Sequence, residues 1–336
     1  MSSTAKAPKH VHHESRMVQS GRERAVGLTL RLIVVGIAIV FALFPVLFIV
    51  LSAFNPAGQL SSGLSIPRVN EFSDLFNNFE ALLVTELDIW PFWRWIANSF
   101  IVATTSTILT VLISALSAYA FSRFRFRGRR QMLLGILLVQ VFPNLLALVA
   151  LFLMMDQISA LSRIIPQIFA FLQGSFLGFL ADPGSWQWLN TFGLNSLGGL
   201  ILIYLGGAMG VNTWLMKGFF DSIPRDIDES AHVDGATDWQ IFWLLIFPLV
   251  RPVLAVVGVL AFVGTFNEFV LARLILRDTQ NWTLMVGLFQ FINADFNRDW
   301  GKFAAGALVS GIPVVIVYLS LQRQIVGGLT AGAVKG

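Results

Sequence analysis

The sequence predicts an all-α membrane protein with six transmembrane helices. Of its 336 residues, 56% are hydrophobic and 12% are charged, whereas about a quarter of the residues in a soluble domain are charged. The uncharged runs are long enough to cross a bilayer, which takes about 20 apolar residues per helix. Since a chain in lipid must satisfy its backbone hydrogen bonds internally, these runs are expected to be helical. The predicted spans are 32–54, 95–121, 132–155, 197–216, 253–272 and 303–322.

Arginine and lysine residues orient these spans. Five arginines lie in 123–130, the short segment between the second and third spans, and such a loop is hard to translocate across a membrane. We therefore expect this loop and both termini to be cytoplasmic. The predicted inner parts are a tail over 1–31, an elbow over 218–252 and a second tail over 326–336. The six-span domain covers 32–325, and its outer loops are 55–94, 156–196 and 275–301.

The segment 164–181 is an alternative, seventh span. It is an uncharged run of 18 residues, and as a span it would place the elbow outside. Pro166, Gly174 and Gly178 weaken a straight helix at this position. We therefore interpret the segment as a helix that lies in, or re-enters from, the outer leaflet.

The elbow, residues 218–252, is polar at its centre. Asp226–Val233 is predicted to be a short helix, because acids occupy its first turn, where the helix dipole favours them. Gly235 supplies a turn, and Thr237 or Asp238 can cap a second helix, which is expected to run to Pro248. Such a bent helical segment could dock onto another protein, or it could simply pack under its own bundle.

Several kinds of chemistry are not expected in this chain. The sequence has no G-x-x-x-x-G-K-[ST] run to cradle phosphates, and its lack of cysteine excludes disulfides and thiolate metal sites. His10, His12 and His13 lie in the polar N-terminal tail, where we expect no metal. The net charge of +4 is small, so the basic residues reflect loop topology rather than a nucleic-acid partner. No catalytic residue is nominated.

Asn267 and Glu268 lie late in the fifth predicted span. An ionisable side chain at membrane depth is a functional candidate by default, so this pair could line a transport path or contact a partner subunit. Glu268 could equally lie near the outer interface and extend toward water. An ion-coupled secondary transporter usually has several buried acids or broken helices in paired repeats, so one acid favours that class only weakly.

The elbow also carries a signature. It has Glu229-Ser230-Ala231, three residues, Gly235, nine residues, and then Leu-Ile-Phe ending at Pro248. This resembles the cytoplasmic pattern of bacterial ABC-importer permeases, E-A-A, three residues, G, nine residues, I-x-L-P, with Ser230 in place of the second residue. Similarity to the carbohydrate-uptake branch, and within it to maltose/maltodextrin permeases, extends over 145–152, 202–223, 276–296 and 300–336.

The resemblance implies a type I ABC importer in the bacterial cytoplasmic membrane. The expected partners are a second homologous permease, two copies of an ATPase subunit, an external solute-binding protein and membrane lipid. ATP and Mg²⁺ would bind to the ATPase, so this chain would need no cofactor and would not be an enzyme. The implied substrate is maltose, maltodextrin or a related α-glucoside, with trehalose or another oligosaccharide as an alternative. A non-transporting scaffold would leave the signature unexplained.

The resemblance also implies roles for elbow residues. Glu229 would form a charged contact with the ATPase, and Asp234 would brace the elbow. Ala231 and Gly235 would permit close approach and the turn. Ser230 and Pro248 belong to the same set.

Two further sets of residues follow from the resemblance. The outer loop 277–300 is similar to a segment that reaches into the sugar cleft of the binding protein, with Asn281, Trp282 and Thr283 as contacts. The tail is similar to one that docks between the two ATPase subunits, although its glycines alone would predict a flexible segment. Its assigned residues are Gly327, Gly328, Thr330, Gly332 and Lys335.

Overall fold

The computed structural model describes residues 21–56, 71–141, 144–168, 170, 182, 190–293 and 298–333. Within these ranges all regular structure is helical, which confirms the predicted all-α class. The chain divides into two compact units, Met1–Ile49 and Val50–Gly336.

The first unit contains most of helix α1, which covers Gly21–Ala53. Its part Gly27–Ala53 is long and apolar enough to cross a membrane. The side chains over 28–47 are exposed. A helix that is apolar on all sides is typical of a membrane span, so α1 corresponds to the first predicted span.

The second unit contains the other helices. Short 3₁₀ or π turns at Phe72–Phe76, Ala81–Thr85, Ile241–Ile246 and Thr279–Asn281 connect or extend them. In chain order the α-helices are α2 (Asn77–Glu80), α3 (Phe92–Arg123), α4 (Arg129–Val141), α5 (Asn144–Ile168), α6 (Leu197–Ser222), α7 (Asp226–Val233), α8 (Asp238–Gln240), α9 (Phe247–Phe266), α10 (Val270–Ile275), α11 (Leu284–Ile292) and α12 (Trp300–Ala333).

Four helical segments of the described chain meet the length and hydropathy of a membrane span, and two bent pairs raise the number to six. One bent pair is α4 with the first part of α5, at 104°, and the other consists of the two halves of α6, at 49°. The third predicted span, 132–155, is therefore broken rather than straight. The sequence has Pro143 at that point, and proline removes a backbone donor and disfavours helix in the residue before it.

Helix α3 is central to the second unit and packs against α6, α9 and α11. Its buried face carries many small side chains, among them Ala103, Ser106, Ala115 and Ala118. Small residues let helix backbones approach closely, which is the usual way in which membrane helices pack. This packing fixes both ends of α3, where the two candidate sites lie.

The segment 164–181 and the C-terminal tail differ in structure from what the sequence predicted. Helix α5 runs to Ile168, so the start of the segment 164–181 continues that helix, and nearly all of the remainder lies outside the described residues. Helix α12 continues to Ala333, so the backbone of the tail is helical as far as that residue rather than irregular. Each glycine costs a helix only about 1 kcal/mol relative to alanine, and extending an existing helix needs no new nucleus.

Candidate functional site: the elbow and the outer loop

The first arm of the elbow is α7, and its bounds, Asp226–Val233, are those predicted from the sequence. Asp226, Asp228 and Glu229 occupy its first turn. Their carboxylates lie where the helix dipole favours negative charge.

The turn of the elbow depends on the backbone of Gly235. Its φ is +84°, in the left-handed region that a side chain disfavours, and a Cβ added there would meet nothing within 4 Å. The amides of Gly235 and Ala236 donate to the carbonyl oxygens of His232 and Ala231, both at 3.0 Å. These bonds satisfy carbonyls at the end of α7. Glycine is therefore required here by conformation and not by space.

The second arm begins with a capping box. Thr237 Oγ1 accepts from the Gln240 amide at 3.4 Å, and the Thr237 amide donates to Gln240 Oε1 at 2.9 Å. Thr237 rather than Asp238 is therefore the cap.

The second arm does not end at Pro248, as the sequence analysis expected. Helix α8 leads through the π turn Ile241–Ile246 into α9, so that helix is continuous over Asp238–Phe266. Pro248 lies in the first turn of α9, directly after the π turn. The wider turn accommodates a residue that cannot donate a backbone hydrogen bond. The second arm of the elbow and the fifth span are therefore one helix.

The inner side of the elbow packs against its own bundle. Ala231 belongs to one buried apolar cluster with Tyr119 of α3, Phe220 of α6, and Ile241 and Phe242 of the second arm. Ala231 does permit close approach, as expected, but to the chain's own helices rather than to a partner. The alternative that the elbow packs under its own bundle is therefore correct for this side.

A buried ion pair attaches the elbow to α3. Arg123 Nε lies 2.9 Å from Asp228 Oδ2, and the two side chains are 7% and 11% exposed. Arg123 Nη2 also donates to the Ile223 carbonyl at 3.2 Å, and Arg225 Nη2 donates to the Ser122 carbonyl at 3.1 Å. Burial raises the pKa of the Asp228 carboxyl, whereas Arg123 lowers it. Sequence reasoning treated Arg123 only as a topology signal and did not find this pair.

The side of the elbow that faces away from the helix bundle is exposed. Glu229, Ser230 and Asp234 are exposed, as are the apolar side chains of Val233 and Trp239. This side therefore combines acids with two large apolar groups, a composition suited to contact with another protein.

The outer-loop residues that were expected to touch a binding protein lie largely inside the chain. Trp282 and Thr283 are 8% and 4% exposed. The Trp282 ring lies 6.0 Å from that of Trp95, and Arg273 lies over it at 5.7 Å. Asn281 Nδ2 donates to the Asn195 carbonyl at 2.8 Å. The surface that we expected these residues to present is therefore not exposed.

Asn195 holds the start of this loop. Its Oδ1 accepts from the amides of Arg277 and Asp278, both at 2.9 Å, and its own amide donates to the Ile275 carbonyl at 3.0 Å. Its φ is 56°, and asparagine tolerates this left-handed region better than most residues. Sequence analysis did not identify Asn195, because a single asparagine in a loop gives no distinctive signal.

Helix α3 holds the other side of the loop. Trp95 Nε1 donates to the Thr279 carbonyl at 2.9 Å, and Asn98 Nδ2 donates to the carbonyls of Gln280 and Trp282, both at 3.0 Å. In the described part of the loop, the side chains of Arg277, Asp278, Gln280 and Arg298 are exposed. The loop thus presents charged and amide groups on a backbone fixed from within.

Glu268 takes part in internal hydrogen bonds. Its carboxylate accepts from Tyr204 Oη at 2.6 Å and from the amides of Leu271 and Ala272 at 2.9 and 3.1 Å. It therefore joins α6 to the start of α10. Asn267 Nδ2 donates to the Val263 carbonyl of its own helix at 2.9 Å. These contacts give the pair a structural role.

The signature of the elbow, Glu229 to Pro248, lies inside a family match. The family described as binding-protein-dependent transport system inner membrane component matches residues 110–328. The chain belongs to this family. The match includes the elbow, the continuous helix and the outer loop, and it confirms the family resemblance and the membrane location expected from the sequence.

Full-length relatives agree with this assignment. The maltose/maltodextrin transport system permease protein MalG of Vibrio vulnificus (strain YJ016) is 39% identical over 300 residues, which is 88% of this chain and 91% of the relative. The galactooligosaccharides transport system permease protein GanQ of Bacillus subtilis (strain 168) is 36% identical over 316 residues, covering 93% and 97%.

A solved structure confirms the fold. A chain in the crystal structure of a bacterial ABC transporter involved in the import of the acidic polysaccharide alginate matches with a TM-score of 0.67 and 24% identity. The match covers 91% of this chain and 98% of that chain. The ABC-permease fold expected from the elbow signature is therefore the observed one.

Proposed function

We propose that this chain is a permease subunit of an ATP-driven importer for maltose, maltodextrin or a related α-glucoside. The observation that supports this most directly is the two-sided elbow. The side that faces the helix bundle contacts α3 and α6, and the side that faces away from it presents Glu229 beside exposed apolar groups. The class of substrate rests on the relatives, whose names specify oligosaccharides.

The elbow would couple an ATPase to the membrane helices. Glu229 would pair with an arginine of the ATPase, a charge-assisted contact that can be bidentate. Val233 and Trp239 would supply apolar contact area, and Gly235, Ser230 and Asp234 would shape the surface. A displacement of the elbow would reach α3 through the Arg123–Asp228 pair. It would reach the fifth span directly, because the second arm and that span are one helix.

The proposal includes the rest of the assembly. A second homologous permease and two copies of an ATPase subunit would complete the membrane complex, with ATP and Mg²⁺ bound only by the ATPase. Both termini would be cytoplasmic, and the tail would dock between the ATPase subunits. At the outer face, a solute-binding protein would contact the exposed side chains of Arg277, Asp278 and Gln280, since Asn281, Trp282 and Thr283 lie inward.

Proteoliposomes containing the whole assembly would test the proposal. We expect maltose or maltotriose, bound to the external protein, to stimulate ATP hydrolysis. Glu229→Gln should reduce that stimulation about tenfold or more, because it removes one partner of a charged interface contact. Asp226→Asn is the matched control, since it neutralises another exposed acid in the same turn and should leave stimulation nearly unchanged. Full stimulation in Glu229→Gln would contradict the coupling role.

A galactooligosaccharide is the second candidate substrate. GanQ, whose name specifies that substrate, covers more of this chain than MalG of V. vulnificus and is almost as similar. The same assay separates the two, because each sugar is added alone with its binding protein. Stimulation by galactooligosaccharide and not by maltodextrin would replace the α-glucoside assignment while leaving the importer assignment intact.

A further inference from the structure

A basic pocket lies where α4 begins, beside the elbow end of α6. Its volume is about 770 Å³, and its lining combines three cationic side chains with apolar ones. The lining residues that matter here are Arg129, Arg130, Lys217, Phe126, Leu133 and Leu134. Neither the importer mechanism nor the family match assigns a function to this pocket.

The backbone at Gly128 builds the pocket. Its φ is +85°, which turns the chain between α3 and α4 in a way that favours glycine. Its carbonyl accepts from the Met132 amide at 2.9 Å. The turn places two consecutive arginines at the first positions of α4, on the wall opposite Lys217 of α6.

Positive charge exceeds negative charge at this pocket. Lys217 forms an ion pair with Asp221 on the next turn of α6. The same carboxylate accepts from Ser122 Oγ at 2.7 Å, and Arg129 also acts on it electrostatically. This one carboxylate is thus acted on by Lys217 and Arg129, and with Arg130 the pocket lining has three cationic side chains, so positive charge is in excess.

An apolar stripe leads away from the pocket along α4. Leu134, Leu138 and Val141 are all exposed, and their spacing of four and then three residues places them on one face of the helix. Phe126 is exposed at the mouth of the pocket. No described residue of α4 is buried. A ligand that joins an anion to a hydrocarbon chain would match both the pocket and the stripe.

We propose that this pocket binds the phosphate headgroup of an anionic phospholipid. Arg129 and Arg130 would hold the phosphate through paired N–H donors, a geometry that suits guanidinium groups. One acyl chain would lie along Leu134, Leu138 and Val141. Clusters of basic side chains between membrane helices are a known means of recognising lipid headgroups. The bound lipid would join α4 to α6 beside the elbow.

Native mass spectrometry of the assembled full-length complex would measure this site. Phosphatidylglycerol is titrated into the complex in zwitterionic detergent, with phosphatidylcholine, whose headgroup is zwitterionic and has no net charge, as the comparison. We expect tighter binding of phosphatidylglycerol. Arg129→Gln/Arg130→Gln should weaken it roughly 30-fold, at about fivefold for each cation near an anionic headgroup.

A matched control removes the same charge from the same loop. Arg125→Gln/Arg127→Gln leaves the pocket lining intact, so we expect phosphatidylglycerol affinity within about twofold of wild type. Equal weakening in both double variants would overturn the proposal, because the general charge of the loop would then explain binding. Wild-type affinity in Arg129→Gln/Arg130→Gln would overturn it as well.

Two further variants and a competition experiment keep the proposal testable if the double glutamine variant fails to assemble. Arg129→Lys/Arg130→Lys retains the charge and should keep most of the affinity, whereas Leu134→Gln, at an exposed position, should weaken lipid binding by altering the acyl-chain contact. Inorganic phosphate is then added as a competitor. Displacement of the lipid by phosphate at equal concentration would show a site for a free anion and would overturn the lipid assignment.

Discussion

Asp228 of the elbow and Arg123, the last residue of α3, form a buried ion pair with an Nε–Oδ2 distance of 2.9 Å. The pair lies between the surface proposed to receive an ATPase and the helix that holds the outer loop. Arg123 also belongs to the arginine-rich segment 123–130, from which the cytoplasmic side of the chain was predicted. One residue thus contributes both to that topology prediction and to the attachment of the elbow to α3.

Removing one charge of this ion pair should lower the free energy of unfolding more than removing both charges. Arg123→Met leaves a buried carboxylate without its cation, and we expect a loss of about 3 kcal/mol. Arg123→Met/Asp228→Leu replaces both charges by apolar groups and should recover much of that loss. Thermal unfolding of the purified complex measures the difference. Arg125→Met is the control for surface charge, and a double variant less stable than Arg123→Met would contradict the interpretation.

Substitutions of Gly235 should show that its left-handed backbone, and not a lack of space for a side chain, makes glycine the preferred residue. Gly235→Ala places a Cβ on a backbone with φ of +84° but in open surroundings, so we expect a cost of roughly 1–2 kcal/mol. Gly235→Asn should cost less, because asparagine tolerates this region. Thermal unfolding of the complex and ATPase stimulation are measured together. An alanine variant as stable as wild type would show that the turn adopts another conformation.

Asn195 should control the order of the outer loop. Asn195→Ala removes the side-chain acceptor for the Arg277 and Asp278 amides, and Asn195→Gly removes it while keeping the left-handed backbone. Hydrogen exchange at those two amides should be faster in both variants, and stability should fall by about 1–3 kcal/mol in the alanine variant. Unchanged exchange in both variants would contradict the role assigned to this side chain.

Gly287 is a tightly packed glycine position beside α3. A Cβ there would overlap the ring of Trp95, which is itself buried and hydrogen-bonded to the Thr279 carbonyl. Gly287→Ala should therefore destabilise the protein by roughly 1–3 kcal/mol. Gly264→Ala is the matched control, because nothing lies within 4 Å of its added Cβ. Equal melting temperatures for the two variants would contradict the proposed overlap.

Local signals predicted local structure well. The acids of Asp226–Val233, the turn at Gly235 and the cap at Thr237 or Asp238 depend on neighbours within a few residues. The structure confirms the first two and selects Thr237 as the cap. The continuous helix was missed because Pro248 and Pro252 indicate an interruption, whereas a π turn accommodates the first of them.

Contacts distant in sequence were not predictable. Ala231 was identified by its pattern, but the pattern does not say which neighbour occupies the space beside it. Trp282 was expected at the surface because the loop resembles a segment that contacts the binding protein. Only packing against Trp95 and Arg273 shows that it lies inside. Arg123 and Asp228 are more than a hundred positions apart, so no periodic signal relates them.

The helix over Asp238–Phe266 has a mechanical consequence. Its 29 residues make a rod of roughly 43 Å at about 1.5 Å per residue. Under the proposed coupling, a sideways push on Trp239 would be carried along this rod toward Phe266. The π turn Ile241–Ile246 and Pro252 are the points where the rod can bend, so they would set how much of the displacement reaches the far end.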